Sequence, residues 1–84
     1  MGILENKIAV ITGGGRGIGK AIANQYSEQG ATVIIAEFDE GSGKNTADEI
    51  GGHFFKVDIS EEDGVSSLFN YVKTNFSCLD VLVN

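Results

Sequence analysis

Apolar residues along this chain alternate between short unbroken runs and stretches where they recur every three or four positions. An unbroken run suits a strand covered on both faces, and the wider spacing suits one face of a helix. Residues 7–12, with Ile8-Ala9-Val10-Ile11 at their centre, read as a first strand. From Gly17 to Glu28 the residues Ile18, Ala21, Ile22 and Tyr26 fall near one helical face, and Gly30 follows as a helix stop. Residues 31–36 (Ala-Thr-Val-Ile-Ile-Ala) are rich in β-branched side chains and read as a second buried strand. Between Asp39 and Gly52 the pattern weakens. Gly41 and Gly43 disfavour the start of a helix, so residues 46–50 are its better half, and Gly51-Gly52 end it. Residues 53–57 form a third strand. Ser60-Glu61-Glu62-Asp63 resembles a capping box with Asp in the place of Glu or Gln. Val65, Leu68, Phe69, Val72 and Phe76 then give the clearest helical spacing in the chain, and residues 79–83 read as a fourth strand.

Strand–helix alternation of this kind specifies an α/β fold: a parallel sheet, right-handed crossovers and helices on both faces. The expected strand order is 3-2-1-4, with the switch point between strands one and four. No proline, repeat or linker divides the 84 residues. A chain of this size buries only about 60–65% of the surface its unfolded form exposes, so its stability margin is thin.

Between the first strand and the first helix lies Thr12-Gly13-Gly14-Gly15-Arg16-Gly17-Ile18-Gly19. Gly13, Gly17 and Gly19 are spaced G-x-x-x-G-x-G, unlike the commoner G-x-G-x-x-G dinucleotide fingerprint. The physics is shared. Glycine reaches backbone torsions closed to other residues, and it removes the Cβ that would hold a diphosphate away. The helix behind the turn offers free N–H groups and a partial positive charge. Gly13, Gly15, Arg16, Gly17, Ile18 and Gly19 are therefore candidate diphosphate-binding residues, and Thr12 is placed to tie the turn with its hydroxyl. Taken alone, the motif is equally a plain glycine-rich strand–helix turn.

Glu37 stands at the end of the second strand, some 18 residues past Gly19, where an acid can accept hydrogen bonds from an adenosine ribose. A carboxylate there favours NAD over NADP, whose 2′-phosphate it repels. Phe38, next to it, joins the candidate cofactor pocket. Arg16 either reaches a 2′-phosphate or pairs with Glu37; no other basic residue adjoins Glu37 in sequence, its next neighbours being Phe38 and Asp39. Asp58-Ile59 closes the third strand, with Asp58 placed to accept from an adenine amino group and Ile59 to pack on the ring. An aspartate before a helix is also a common turn residue. These three strand ends would line one pocket. A nucleotide-sugar or S-adenosylmethionine site on a similar fold also places an acid after strand two.

Charge and cysteine usage exclude other classes. Twelve acidic against six basic side chains give a net charge of −6, which argues against nucleic acid as a partner. Cys78 is the only cysteine, so no internal disulfide forms, in keeping with a reducing cytoplasm. Neither a membrane span of roughly 18–20 apolar residues nor a signal peptide is evident. His53 reads as structural and Cys78 as a small packing residue, and no cluster of ligands suggests a metal site. Tyr71 reads as outward-facing, and neither it nor Tyr26 has a lysine four positions on.

The residues 6–13 (Asn-Lys-Ile-Ala-Val-Ile-Thr-Gly), the glycine turn, Glu37, Val57-Asp58-Ile59 and residues 79–84 (Leu-Asp-Val-Leu-Val-Asn) together resemble the N-terminal part of the short-chain dehydrogenase/reductase family. The last segment looks like the start of that family's Asn-Asn-Ala-Gly motif, cut after its first Asn. The resemblance implies a Rossmann-like domain, truncated after its fourth strand, with the C-terminal catalytic part absent. It implies that the turn holds a diphosphate, that Glu37 binds ribose as in NAD-dependent members, that Asp58 contacts adenine, and that Asn84 helps order the central sheet. It implies a cytoplasmic oxidoreductase parent moving hydride between NAD(P) and an alcohol or carbonyl. The family's catalytic serine and Tyr-x-x-x-Lys pair have no counterpart here, so the 84-residue chain alone is expected to be inactive. Ser77 departs from the family pattern, which has glycine after the aromatic residue. A fourth strand left open would act as a template for pairing, so self-association into a homo-oligomer is the alternative expectation.

Overall fold

The computed structural model describes residues 2–13, 15 and 17–83. They form β1 (Ile8–Thr12), α1 (Gly17–Glu28), β2 (Thr32–Glu37), α2 (Glu40–Ile50), β3 (His53–Lys56), α3 (Glu62–Phe76) and β4 (Val81–Val83). The strands make one parallel sheet in the order β3-β2-β1-β4. The order and the parallel sense are those that the strand–helix alternation specifies.

The sheet is buried on both sides, which is why its central strands are unbroken apolar runs. Alternate residues of β1 and β2 serve opposite cores. Val10, Ile34 and Ala36 pack with Leu68 and Val72 of α3 on one face. Ile11, Val33 and Ile35 pack with Ala23 of α1 and Ala47 of α2 on the other. Register aligns Val10 with Ile34 and Ile11 with Ile35, so each layer is continuous across strands. At the lower edge Asp80 locks β4 to β1 twice: its carboxylate accepts from the Ile8 N–H at 2.8 Å, and its own N–H donates to the Ile8 carbonyl at 3.0 Å.

Some local expectations are corrected. In α1 the buried position is Ala23, with Ile22 and Tyr26 beside it, whereas Ala21 is exposed and Ile18 is 80% exposed. The helix turns its 22/23/26 stripe inward because the core lies under the body of the helix, while Ile18 sits at its open N-terminal end. In α2 the glycines do not delay the helix. Asp39 caps it by accepting from the N–H groups of Gly41 and Ser42, and Gly51 closes it at φ 69° with the Gly52 N–H donating to Ala47. The Ser60 capping box does not form: the residue before α3 is Glu61, which makes no side-chain cap, and Ser60 bonds back to Asp58 instead. Tyr71 is half-buried and stacks on Phe55 with ring centroids 4.5 Å apart, and Cys78 is exposed. Ser77 takes φ 74°, a left-handed conformation that glycine adopts more readily.

Gly43 is in α2 for a steric reason. A Cβ there would stand 2.2 Å from Cε1 of Phe54 and 3.0 Å from Cβ of Glu37. Helix propensity alone favours alanine over glycine by about 1 kcal/mol. Overpacking a buried contact costs about 1–3 kcal/mol and outweighs it. Gly43→Ala is expected to destabilise the chain by up to about 2 kcal/mol in urea unfolding; a more stable variant would show that the α2–β3 packing yields freely.

Candidate functional site

The carboxyl ends of all the strands reach the same edge of the sheet, and the glycine turn leaves β1 there. Its base is fixed on both sides. The Gly13 N–H donates to the Ala36 carbonyl of β2 at 3.0 Å, and the Thr12 hydroxyl donates to the Val83 carbonyl of β4 at 3.1 Å. Gly13 and Gly17 have φ of 65° and 63°, and a Cβ at either would project into open space. The turn therefore leaves clear the volume in which a diphosphate would lie. Gly17 also opens α1, whose first turn carries no acid to occupy its positive end. Ile18 is exposed beside it and Gly19 is half-buried.

Gly15 is different. It is buried, and a Cβ would meet Oγ of Ser42 at 2.5 Å and Oε1 of Glu37 at 3.0 Å. Its N–H donates to Oε1 of Glu37 at 3.2 Å, and its carbonyl accepts from the hydroxyl of the fully buried Thr46 at 2.9 Å. Oε2 of Glu37 accepts from the N–H groups of Phe38 at 3.0 Å and Asp39 at 3.2 Å. The structure thus joins the two strongest sequence candidates, the turn and Glu37, by a direct bond. It also brings in Ser42 and Thr46, which no motif marked. Both lie in α2, Ser42 between the two glycines that obscure its start and Thr46 at the head of its more legible half.

Phe38 is 63% exposed at the same edge. Strand register sets Lys56 opposite Glu37, so a basic residue does adjoin Glu37 in space although none does in sequence. Its Nζ stands 5.7 Å from the centre of the Phe38 ring and 3.8 Å from Glu40, which also pairs with Lys44 at 2.8 Å. Asp58 and Ile59 follow β3. Oδ1 of Asp58 accepts from the Ser60 hydroxyl at 2.6 Å and the Ser60 N–H at 3.0 Å. Ile59 is 46% exposed and lines an apolar cleft of about 260 Å³ with Thr12, Val65, Leu68, Phe69 and Leu82. That cleft opens where β1 and β4 part company, the switch point of the sheet. Arg16 and Asn84 lie outside the described residues, as does Gly14. Among the described residues no group of metal-ligating side chains is found, and no helix is long and apolar enough to cross a membrane.

The short chain dehydrogenase family model matches residues 7–84. The chain belongs to the short-chain dehydrogenase family. An uncharacterized oxidoreductase of Thermotoga maritima is 39% identical over 98% of this chain and 34% of its own length. The 3-hydroxyacyl-CoA dehydrogenase type-2 of Drosophila melanogaster is 36% identical over 98% of this chain and 33% of its own. Among solved structures, a 3-ketoacyl-(acyl-carrier-protein) reductase of Brucella melitensis, complexed with NADH, superposes with a TM-score of 0.89 at 33% identity. It covers 94% of this chain and 33% of that one. The chain spans about a third of the length of the curated relatives it matches.

The Ser60 hydroxyl, and after it the Ser60 N–H, hold the Asp58 carboxyl below its ordinary range. A depressed folded-state value means that this bond stabilises the fold fully above the unfolded value, about pH 4, and that the gain is lost as pH falls through the folded value. In Ser60→Ala the Asp58 carboxyl is expected to titrate at higher pH than in the wild type, followed by carbonyl-carbon NMR. An unchanged titration would show that the backbone N–H alone sets it.

Proposed function

We propose that this chain forms the adenosine-diphosphate half of an NAD site, and that the whole protein moves hydride between NAD and an alcohol or carbonyl substrate. The observation that carries the reading is the Glu37 carboxylate at the mouth of the glycine turn, bonded to the Gly15 N–H at 3.2 Å. A nicotinamide dinucleotide supplies the hydride chemistry when bound. The chain's own residues bind and orient it. Gly13, Gly15, Arg16, Gly17, Ile18 and Gly19 are the residues that would hold the diphosphate. Glu37, already fixed by three backbone N–H groups, is a rigid acceptor for ribose hydroxyls and a repulsive charge for a 2′-phosphate. Asp58 would accept from the adenine amino group, and Phe38 and Ile59 would pack on the ring. Asn84, outside the described residues, is assigned the role the family resemblance implies, helping to order the central sheet.

Proton transfer to a substrate oxygen is not among this chain's tasks. Tyr26 and Tyr71 are followed four positions on by Gly30 and Asn75, so no Tyr-x-x-x-Lys pair exists in it. The 84 residues alone are inactive on this reading, and the cytoplasm is the compartment their single cysteine suits.

Thermal melts test the cofactor assignment. At about 100 times its dissociation constant, NAD is expected to stabilise the chain by about 2.7 kcal/mol. NADP at equal concentration is expected to do less, and Glu37→Ala to erase the difference. Equal stabilisation by both nucleotides, or by neither, would remove the support for the assignment.

A second reading rests on exposed apolar surface. β4 is an edge strand, and Leu82, Phe69 and Ile59 around the neighbouring cleft are 43%, 43% and 46% exposed. Such an edge favours pairing between copies. Sedimentation velocity is expected to show a concentration-dependent dimer, shifted toward monomer by Leu82→Lys. A single monomeric species at all concentrations would count against self-association.

A further inference from the structure

Gly15 is the one described residue of the turn with both backbone polar groups held by side chains from outside it. Glu37 takes its N–H at 3.2 Å, and Thr46 gives a hydrogen bond to its carbonyl at 2.9 Å. Gly13, Gly15 and Gly17 do not share a surrounding. A Cβ at Gly13 or Gly17 would meet nothing, whereas one at Gly15 would meet Ser42 and Glu37 at 2.5 and 3.0 Å. Gly15 is thus the anchored point of the turn, and its neighbours are the open ones. Thr46 is fully buried and belongs to α2. The hydroxyl's recorded partner lies in the turn, not in its own helix.

We infer that Thr46 is a positioning residue for dinucleotide binding: its hydroxyl fixes the Gly15 peptide so that the turn is held in its binding shape before any ligand arrives. The inference rests on the NAD reading above. Thr46 touches no ligand in this scheme. It acts through Gly15, and it works in pair with Glu37, which grips the other end of the same residue and also faces the ribose. The clamp therefore couples the diphosphate and ribose positions through one residue. A turn released at its carbonyl would still bind adenosine at Glu37 and Asp58. It would have to be ordered again for the diphosphate, and that ordering weakens affinity. A valine also strands a buried carbonyl without its donor, which local opening of the turn would relieve.

The test uses three forms of the chain: wild type, Thr46→Val and Thr46→Ser. Amide hydrogen exchange at Gly15 is read without ligand, and NADH affinity is read by fluorescence titration. Thr46→Val is expected to speed Gly15 exchange and to weaken NADH about tenfold, the size of one lost net hydrogen bond. Thr46→Ser, which keeps the hydroxyl, is expected to restore both within about threefold. A structural role of Thr46 in α2 alone would give loss of stability with no selective change at Gly15 and no rescue by serine, and would overturn the inference. Faster exchange at Gly15 with unchanged NADH affinity would overturn it too. If wild type binds no NADH while Gly15 still loosens in Thr46→Val, the dinucleotide reading fails and the positioning role falls with it. That pattern differs from the others in being visible in the wild type.

Discussion

Burial of β1 and β2 on both faces is the constraint from which the rest follows. A strand with Val10 facing one core and Ile11 facing the other needs a helix layer on each side. Parallel neighbours then need crossovers, and these helices supply them. Once every strand runs the same way, every strand end that follows β1, β2 and β3 arrives at one edge. The turn, Glu37 and Asp58 are there because the core is two-sided, and their chemistry is a consequence of that layering.

The upper edge is organised by backbone N–H groups seeking acceptors. Glu37 satisfies three of them with one carboxylate, at Gly15, Phe38 and Asp39. Asp39 satisfies the start of α2, and Asp58 satisfies Ser60 after β3. Each acid follows or ends a strand, where the ladder has run out of partners. In a chain with a net charge of −6, these carboxylates are held by local donors more than by cations. A site built in this way is rigid and negative at Glu37 and open and positive at the helix end. That polarity suits a ligand with hydroxyls at one point and phosphates at another.

Much of this was legible in the sequence, for reasons that differ by element. The strand runs 7–12 and 31–36 announce themselves because double-sided burial leaves their centres, 8–11 and 33–36, wholly apolar. The turn is legible because glycine meets its positive φ angles most readily, and Glu37 because its distance from the turn is set by one helix and one strand. The helix 40–50 was obscured because Gly43 answers to the Phe54 ring, a contact across the fold that no local propensity reflects. The Ser60 capping box misled for a related reason. Ser60 had a competing acceptor in Asp58, two residues back, and took it. Ile18 shares a helical stripe with Ile22 and Tyr26 yet is exposed, because periodicity gives a stripe but not where the core ends.

The sequence by itself determined the α/β class, the strand order, the turn and the acid at the end of strand two. These depend on periodicity, glycine torsions and chain direction, which are properties of neighbours along the chain. Only the tertiary structure decided which groups meet across it. It put the Glu37 carboxylate on the Gly15 N–H, Thr46 on the Gly15 carbonyl, Lys56 opposite Glu37, and Tyr71 against Phe55. Those contacts depend on strand register and on how helices rotate against the sheet. Both are set by packing of side chains far apart in sequence, and no local pattern encodes them.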